Sequence, residues 1–233
     1  NALVARIISE TGEEAGYTYP EAGPLYRKLA AWLGIVPDSL LLAAGSDGII
    51  RSVFEAYISP GDVVLHTAPT FAMYSVYSAM YGARVVTVDY RQSDDGPVLR
   101  VDEIVAAINR ERPRLVCLPN PDSPTGTAFG ETDMRTIIDA AEAVGAIILI
   151  DEAYHPFLPT TVLPWVAEYG HLVVARSTGK AWGMAGLRIG YAAASPALAA
   201  ILHKVRPMYE TGTVAMSVFE RMLDHEDAMS ASV

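Results

Sequence analysis

Six short apolar runs recur along the chain, at Val63–Leu65, Arg84–Val88, Arg114–Leu118, Ala146–Ile150, Leu172–Ala175 and Ile189–Ala193. They are rich in Val, Ile and Leu and largely lack polar alternation, the pattern of strands buried on both faces. Between them lie stretches with helical spacing. Met134, Ile137, Ile138 and Ala141 share one face of a helix expected after Phe129-Gly130, and Leu25, Leu29 and Trp32 do the same near the start. Gly34 and Gly145 stand where those helices should stop, because glycine takes a left-handed C-terminal cap at no steric cost. A further helical stretch, Gly48 to Tyr57, follows Leu40-Leu-Leu42 and Gly45-Ser-Asp47. Strand and helix alternate throughout, which predicts an α/β domain: a three-layer α/β/α sandwich around a mostly parallel central sheet. Ligands of such sheets collect in the loops after the strands' carboxyl ends.

Composition narrows the picture without altering it. Of 233 residues, 51% are apolar and 19% charged, which excludes a disordered chain. The formal net charge is −10, so the basic footprint of a nucleic-acid binder is missing, and neither nucleic acid nor an anionic membrane is an expected partner. Cys117, the single cysteine, excludes an internal disulfide and favours a reducing compartment, with the cytoplasm as the expected location. Apolar runs such as Ala146–Ile150 fall far short of the ~20 residues that a membrane helix needs. The five histidines show no metal-ligand spacing, so no metal is expected; His155 alone stands beside a loop of interest.

Four loops hold unusual polar clusters: Gly45-Ser-Asp47, Pro119-Asn-Pro-Asp-Ser-Pro-Thr-Gly126, Asp151-Glu-Ala-Tyr154, and Arg176-Ser-Thr-Gly-Lys180 with Arg188 eight residues on. Singly each has an ordinary reading. An Asp after a strand caps a turn, Gly-Ser-Asp before a helix is first of all an N-cap, and a lone Lys is a solvated cation. Together they meet three demands of one chemistry. Ser, Arg and free amides at a helix start bind a phosphate-type anion. An Asp ending a buried strand can hold a ring nitrogen protonated. A Lys in a desolvated, cation-rich loop can form a Schiff base. Pyridoxal-phosphate chemistry imposes those requirements jointly.

The same segments carry a resemblance. Tyr17-Thr-Tyr-Pro-Glu-Ala-Gly-Pro24, Ala68-Pro-Thr-Phe-Ala-Met-Tyr74, Asp151-Glu-Ala-Tyr154 and Lys180-Ala-Trp-Gly-Met-Ala-Gly-Leu-Arg-Ile-Gly-Tyr191 occur in order. With them the chain, from about Tyr17 to about Leu223, resembles the fold-type-I pyridoxal-phosphate aminotransferases, most closely the histidinol-phosphate branch. The resemblance implies that Lys180 forms the Schiff base and shuttles the substrate's Cα proton. It implies that Asp151 pairs with the pyridine nitrogen, that Tyr154 donates to the ring's phenolic oxygen and that Phe71 stacks on the ring. Ser177, Arg188 and the amides of Ser46 and Asp47 would bind the phosphate. Tyr19 would reach the phosphate of a neighbouring subunit, making the working unit a homodimer. Residues 1–20 are then an arm toward that partner, 21–205 the cofactor-binding large domain, and 206–233 the start of a connection to a small C-terminal domain expected to be absent. A chain that starts at Asn1 without Met and stops inside a helical pattern at Ser232-Val233 is read as a piece of a longer one.

Three departures bear on the expectation. Ser123 stands where the family has an Asn whose amide donates to the ring oxygen; a hydroxyl also donates but is shorter. Gly179 replaces a hydroxyl residue before the lysine. Glu210, in Arg206-Pro-Met-Tyr-Glu210, puts an anion near the expected substrate entrance, against a phosphorylated substrate. The expected activity is transfer of an amino group between a histidinol-phosphate-like or aromatic amino donor and a 2-oxo acid. A decarboxylase or synthase of the same fold, or a non-catalytic domain binding pyridoxal phosphate, is the alternative.

Overall fold

All six apolar runs become strands, because each supplies side chains to both sides of one sheet. A computed structural model describes residues 1–233. The strands are β1 (Leu40–Ala43), β2 (Val63–Ala68), β3 (Arg84–Asp89), the short hairpin β4 (Arg91–Ser93) and β5 (Gly96–Val98), then β6 (Leu115–Pro119), β7 (Ile147–Asp151), β8 (Leu172–Ser177) and β9 (Gly190–Ala194). Seven form one sheet in the order β1-β9-β8-β7-β6-β2-β3. From β8 through β3 every pair is parallel; β9 runs antiparallel to both β8 and β1. The sheet is therefore mostly parallel, as expected.

Nine helices accompany it: α1 (Ala2–Ser9), α2 (Gly23–Leu33), α3 (Gly45–Tyr57), α4 (Met73–Met80), α5 (Val101–Glu111), α6 (Glu131–Val144), α7 (Pro196–Val205), α8 (Thr213–Met222) and α9 (Glu226–Ser230). Alternate strand residues divide between two cores. Val116, Leu118, Ile148 and Ile150 pack with α1, α2, α5, α6 and α8 on one side, while Leu115, Cys117 and Leu149 pack with α3, α4 and α7 on the other. That alternation yields three layers. Cys117 is thereby a core residue, its thiol pKa pushed well up by burial.

Gly34 (φ 70°) and Gly145 (φ 74°) end α2 and α6 in the left-handed conformation, as the sequence predicts. Two expectations change. Helix α3 starts at Gly45 rather than Gly48, with Ala44 as N-cap and no capping side chain. Gly45-Ser-Asp47 thus forms the first turn, leaving its amides without intrahelical acceptors. Packing also crosses both domain boundaries expected at 20 and 205. Val4 and Ile7 of α1 and Val218, Phe219 and Met222 of α8 are buried in the same core as α2, because α8 lies against both α1 and α2.

One contact sets the geometry at the sheet's edge. A Cβ on Gly190 would meet three backbone atoms: Gly45 C at 2.5 Å, Ser46 N at 2.6 Å and Arg176 O at 2.8 Å. Glycine here lets β9 press directly on the first turn of α3. We expect Gly190→Ala to destabilise the fold by about 2–3 kcal/mol, since backbone cannot move aside as a flexible side chain can. In thermal unfolding that is a fall of several degrees; an unchanged midpoint would contradict the contact.

Candidate active site

The carboxyl ends of β6, β7 and β8 and the first turn of α3 surround a cleft of about 260 Å³. Nine of the ten residues singled out from sequence line it: Ser46, Asp47, Phe71, Ser123, Asp151, Tyr154, Ser177, Lys180 and Arg188. The tenth, Tyr19, lies on the surface, 79% exposed and stacked on Tyr209 at 4.4 Å.

At the floor, the end of β7 places Asp151 among buried neighbours. Its Oδ1 accepts from the Ala153 amide at 3.0 Å and its Oδ2 from the Tyr74 hydroxyl at 3.1 Å. Burial outweighs both bonds and pushes the carboxyl up to about 6. Because the folded value lies above the unfolded one, the native state holds its proton more tightly, and stability falls as pH rises from about 4 to about 6. That slope integrates to about 3 kcal/mol at most. We expect Asp151→Asn to flatten it, so the variant gains stability relative to the native chain between pH 4 and pH 7. Parallel denaturation curves at the two pH values check this.

Lys180 follows β8 through Gly179 and projects its exposed side chain into the cleft, Nζ 4.7 Å from the centre of the Tyr154 ring. The Lys180 amine, then the Ser123 hydroxyl, pull the Tyr154 phenol below its ordinary pKa. Ser123, shorter than the Asn it replaces, lines the cleft together with Tyr154. Phe71 forms a wall, its ring edge-on to Tyr74 at 5.8 Å.

The far end of the cleft is built for an anion. Amides of the α3 first turn stand beside Ser177 and Arg188, which holds a left-handed backbone (φ 50°) and donates from Nη2 to Ala44 O at 3.2 Å. Gly45 leaves room for it: a Cβ there would lie 3.0 Å from Nη2. The Asp47 carboxylate accepts from the Tyr77 hydroxyl at 3.1 Å. Burial and that carboxylate push Tyr77 up to about 12. The Ser177 hydroxyl accepts from the Gly179 amide at 3.0 Å, and a Cβ on Gly179 would meet Ala185 Cα at 3.2 Å. A side chain before the lysine would therefore have to displace its neighbours by a few tenths of an ångström.

Two other residues noted in the sequence stand next to lining residues without joining the lining. Glu210 does not line the cleft. It is half-buried against the start of α3, beside the Ala44 amide and Gly48, and burial raises its carboxyl pKa. His155 also stays outside the lining, and burial and then the Arg176 charge press it down to about 4.

Supporting residues escaped the sequence reading. Asp122, buried in the loop after β6, accepts from the hydroxyls of Thr67 and Thr70 at 3.1 Å each, tying the Phe71 segment to the Ser123 segment. Glu152 and Arg176, next to Asp151 and Ser177, form a buried ion pair with contacts of 2.9 and 3.0 Å. Asp122, Glu152 and Arg176, like Tyr74 in Ala68–Tyr74, each stood inside a segment singled out from sequence, but nothing local marked their partners. The assembled cleft offers an amine, a buried carboxylate, an aromatic wall and an anion cradle. It fits a flat, phosphorylated, nitrogen-containing ring with a reactive carbonyl.

Comparison with known proteins gives the same direction. The family model described as aminotransferase class I and II matches residues 2–233. The histidinol-phosphate aminotransferase of Caldanaerobacter subterraneus subsp. tengcongensis is 34% identical over 202 residues, covering 87% of this chain and 56% of that protein. That of Thermoanaerobacter sp. strain X514 is 36% identical over 207 residues, covering 89% of this chain and 57% of the relative. The crystal structure of histidinol-phosphate aminotransferase from Sinorhizobium meliloti in complex with pyridoxal-5′-phosphate superposes with a TM-score of 0.89. It shares 24% identity and covers 100% of this chain and 63% of its own. The chain thus spans a little over half the length of the curated relatives it matches.

Proposed function

Because the chain belongs to the class I and II aminotransferase family, we propose that its cleft binds pyridoxal 5′-phosphate and serves amino-group transfer from an amino donor to a 2-oxo acid. The observation that carries this reading is the convergence of Lys180, Asp151 and the cradle of Ser177, Arg188 and the α3 first turn on one cleft. The residues suit the group. First-turn amides and a guanidinium take a phosphate, and a buried carboxylate with a raised pKa takes a protonated ring nitrogen.

When bound, the cofactor supplies a carbonyl that condenses with amines and an electron sink for bonds at the substrate's Cα. Lys180 Nζ provides the amine that anchors it, and afterwards carries the proton to and from the substrate's Cα. Asp151 holds the proton at the ring nitrogen. Tyr154, with Ser123 beside it, donates to the ring's phenolic oxygen. Phe71 covers one face of the ring and excludes water there. Ser177, Arg188 and the amides of Ser46 and Asp47 fix the phosphate.

The amino donor is a histidinol-phosphate-like compound, in keeping with the names of the curated relatives, or else an aromatic amino acid. The unit is a homodimer in which exposed Tyr19 reaches a second copy's phosphate cradle, and the single buried Cys117 suits a reducing cytoplasm. The test supplies the full protein with pyridoxal phosphate, 2-oxoglutarate and either ¹⁵N-labelled histidinol phosphate or ¹⁵N-labelled phenylalanine. Appearance of ¹⁵N-glutamate from either donor is the expected result. Release of CO₂ from phenylalanine without glutamate would replace transfer by decarboxylation, and no product from cofactor-loaded protein would overturn the enzymatic reading.

A further inference from the structure

We propose that Tyr74 is a positioning residue for Asp151, its buried phenol fixing the plane of that carboxylate and keeping it an anion turned to the cleft. Tyr74 has no solvent exposure, and its hydroxyl lies 3.1 Å from Asp151 Oδ2. With the Ala153 amide on Oδ1 at 3.0 Å, each carboxylate oxygen has one fixed donor. A carboxylate held at both oxygens cannot rotate, and each charge-assisted bond favours its ionised form. No nearby group competes for the phenol. His66, whose ring centre is 6.1 Å away, has Thr67 O and the Ser75 hydroxyl as its own partners, at 2.7 and 3.3 Å.

The charges around Asp151 make the phenol's donation matter. Glu152 beside it and Asp122 from the loop after β6 both disfavour its anion, and Arg176 answers Glu152 directly. From β6, Cys117 remains a neutral thiol, its pKa pushed well up by burial. Tyr154 and Lys180 share the cleft with the carboxylate. Burial first, then the Asp151 charge, drive the Tyr74 phenol well above its ordinary range, so it stays a donor at every working pH. The same ring stands edge-on to Phe71 at 5.8 Å. One side chain thereby ties the partner of the ring nitrogen to the wall that faces the ring.

Packing alone does not call for the hydroxyl, since phenylalanine would fill the same space. The role in catalysis rests on the cofactor reading above, whereas the effect on Asp151 does not. The experiment compares the native chain with Tyr74→Phe. In the cofactor-free proteins, the carboxyl ¹³C signal of Asp151, assigned by its loss in Asp151→Asn, is titrated by NMR. We expect its midpoint to rise by about one pH unit in Tyr74→Phe, the loss of one hydrogen bond to a charged group. In the loaded proteins, the ring-nitrogen ¹⁵N signal of labelled pyridoxal phosphate is expected to shift toward the unprotonated position, with about tenfold weaker cofactor binding. An Asp151 midpoint that does not move would overturn the inference. If the native chain binds no pyridoxal phosphate, the functional reading fails and the cofactor-free titration still decides the role of Tyr74.

Discussion

Lys180→Ala is expected to remove amino-group transfer by at least ~10⁴-fold, because one substitution removes both the covalent anchor and the proton carrier. Neither the Tyr154 hydroxyl nor the cradle replaces an amine at that place. The fold should be indifferent, since the Lys180 side chain is exposed in the cleft and makes no buried ion pair. Single-turnover kinetics beside a thermal unfolding curve separate the two effects. Loss of transfer with an unchanged unfolding midpoint is the expected pair of results. Transfer within tenfold of the native rate would remove Lys180 from the mechanism.

Arg176→Met should cost the fold more than Gly190→Ala does, about 3–5 kcal/mol. Arg176 gives two hydrogen bonds to Glu152 Oε2, at 3.0 and 2.9 Å, and one to Thr161 Oγ1 at 2.8 Å, with side chains only 7% and 1% exposed across the ion pair. Methionine fills much of the volume but leaves the Glu152 carboxylate buried with only the Thr161 hydroxyl and the Val162 amide, at 2.7 Å each. An uncompensated buried charge accounts for most of that cost. The companion Glu152→Gln/Arg176→Met should recover a large part of it, as the stranded charge is gone. Urea denaturation of the three proteins measures this. A single variant within about 1 kcal/mol of the native chain would show that the pair contributes little to the fold.

How far the sequence could be read depended on the distance between interacting residues. Strands were legible because a strand buried on both faces needs a continuous apolar run, and helix ends because a left-handed cap favours glycine, as at Gly34 and Gly145. The cleft residues were legible because α/β sheets gather ligands at one edge and the chain carries unusual polar loops there. Strand direction leaves no mark in composition, so the reversal of β9 was not visible. The β4–β5 hairpin lacks an apolar run altogether. Tyr74 and Asp151 lie 77 positions apart, and Glu152 and Arg176 lie 24 apart. No local spacing links either pair. A tyrosine on an apolar helix face and a charge beside a strand look like ordinary core and surface until the fold brings their partners to them. Packing of α1 and α8 into one core was hidden for the same reason.

Lys180 is the proposed anchor of pyridoxal phosphate in this cleft. The chain has only two other lysines, Lys28, paired with Asp224 at 2.7 Å, and Lys204 on α7. The most direct measurement is the absorbance spectrum of the protein with pyridoxal phosphate, followed by borohydride reduction and peptide mapping of the fixed label. The expected result is a visible band that reduction abolishes and a single labelled peptide carrying the adduct on Lys180. An absent band, or a label on Lys28 or Lys204, would contradict it.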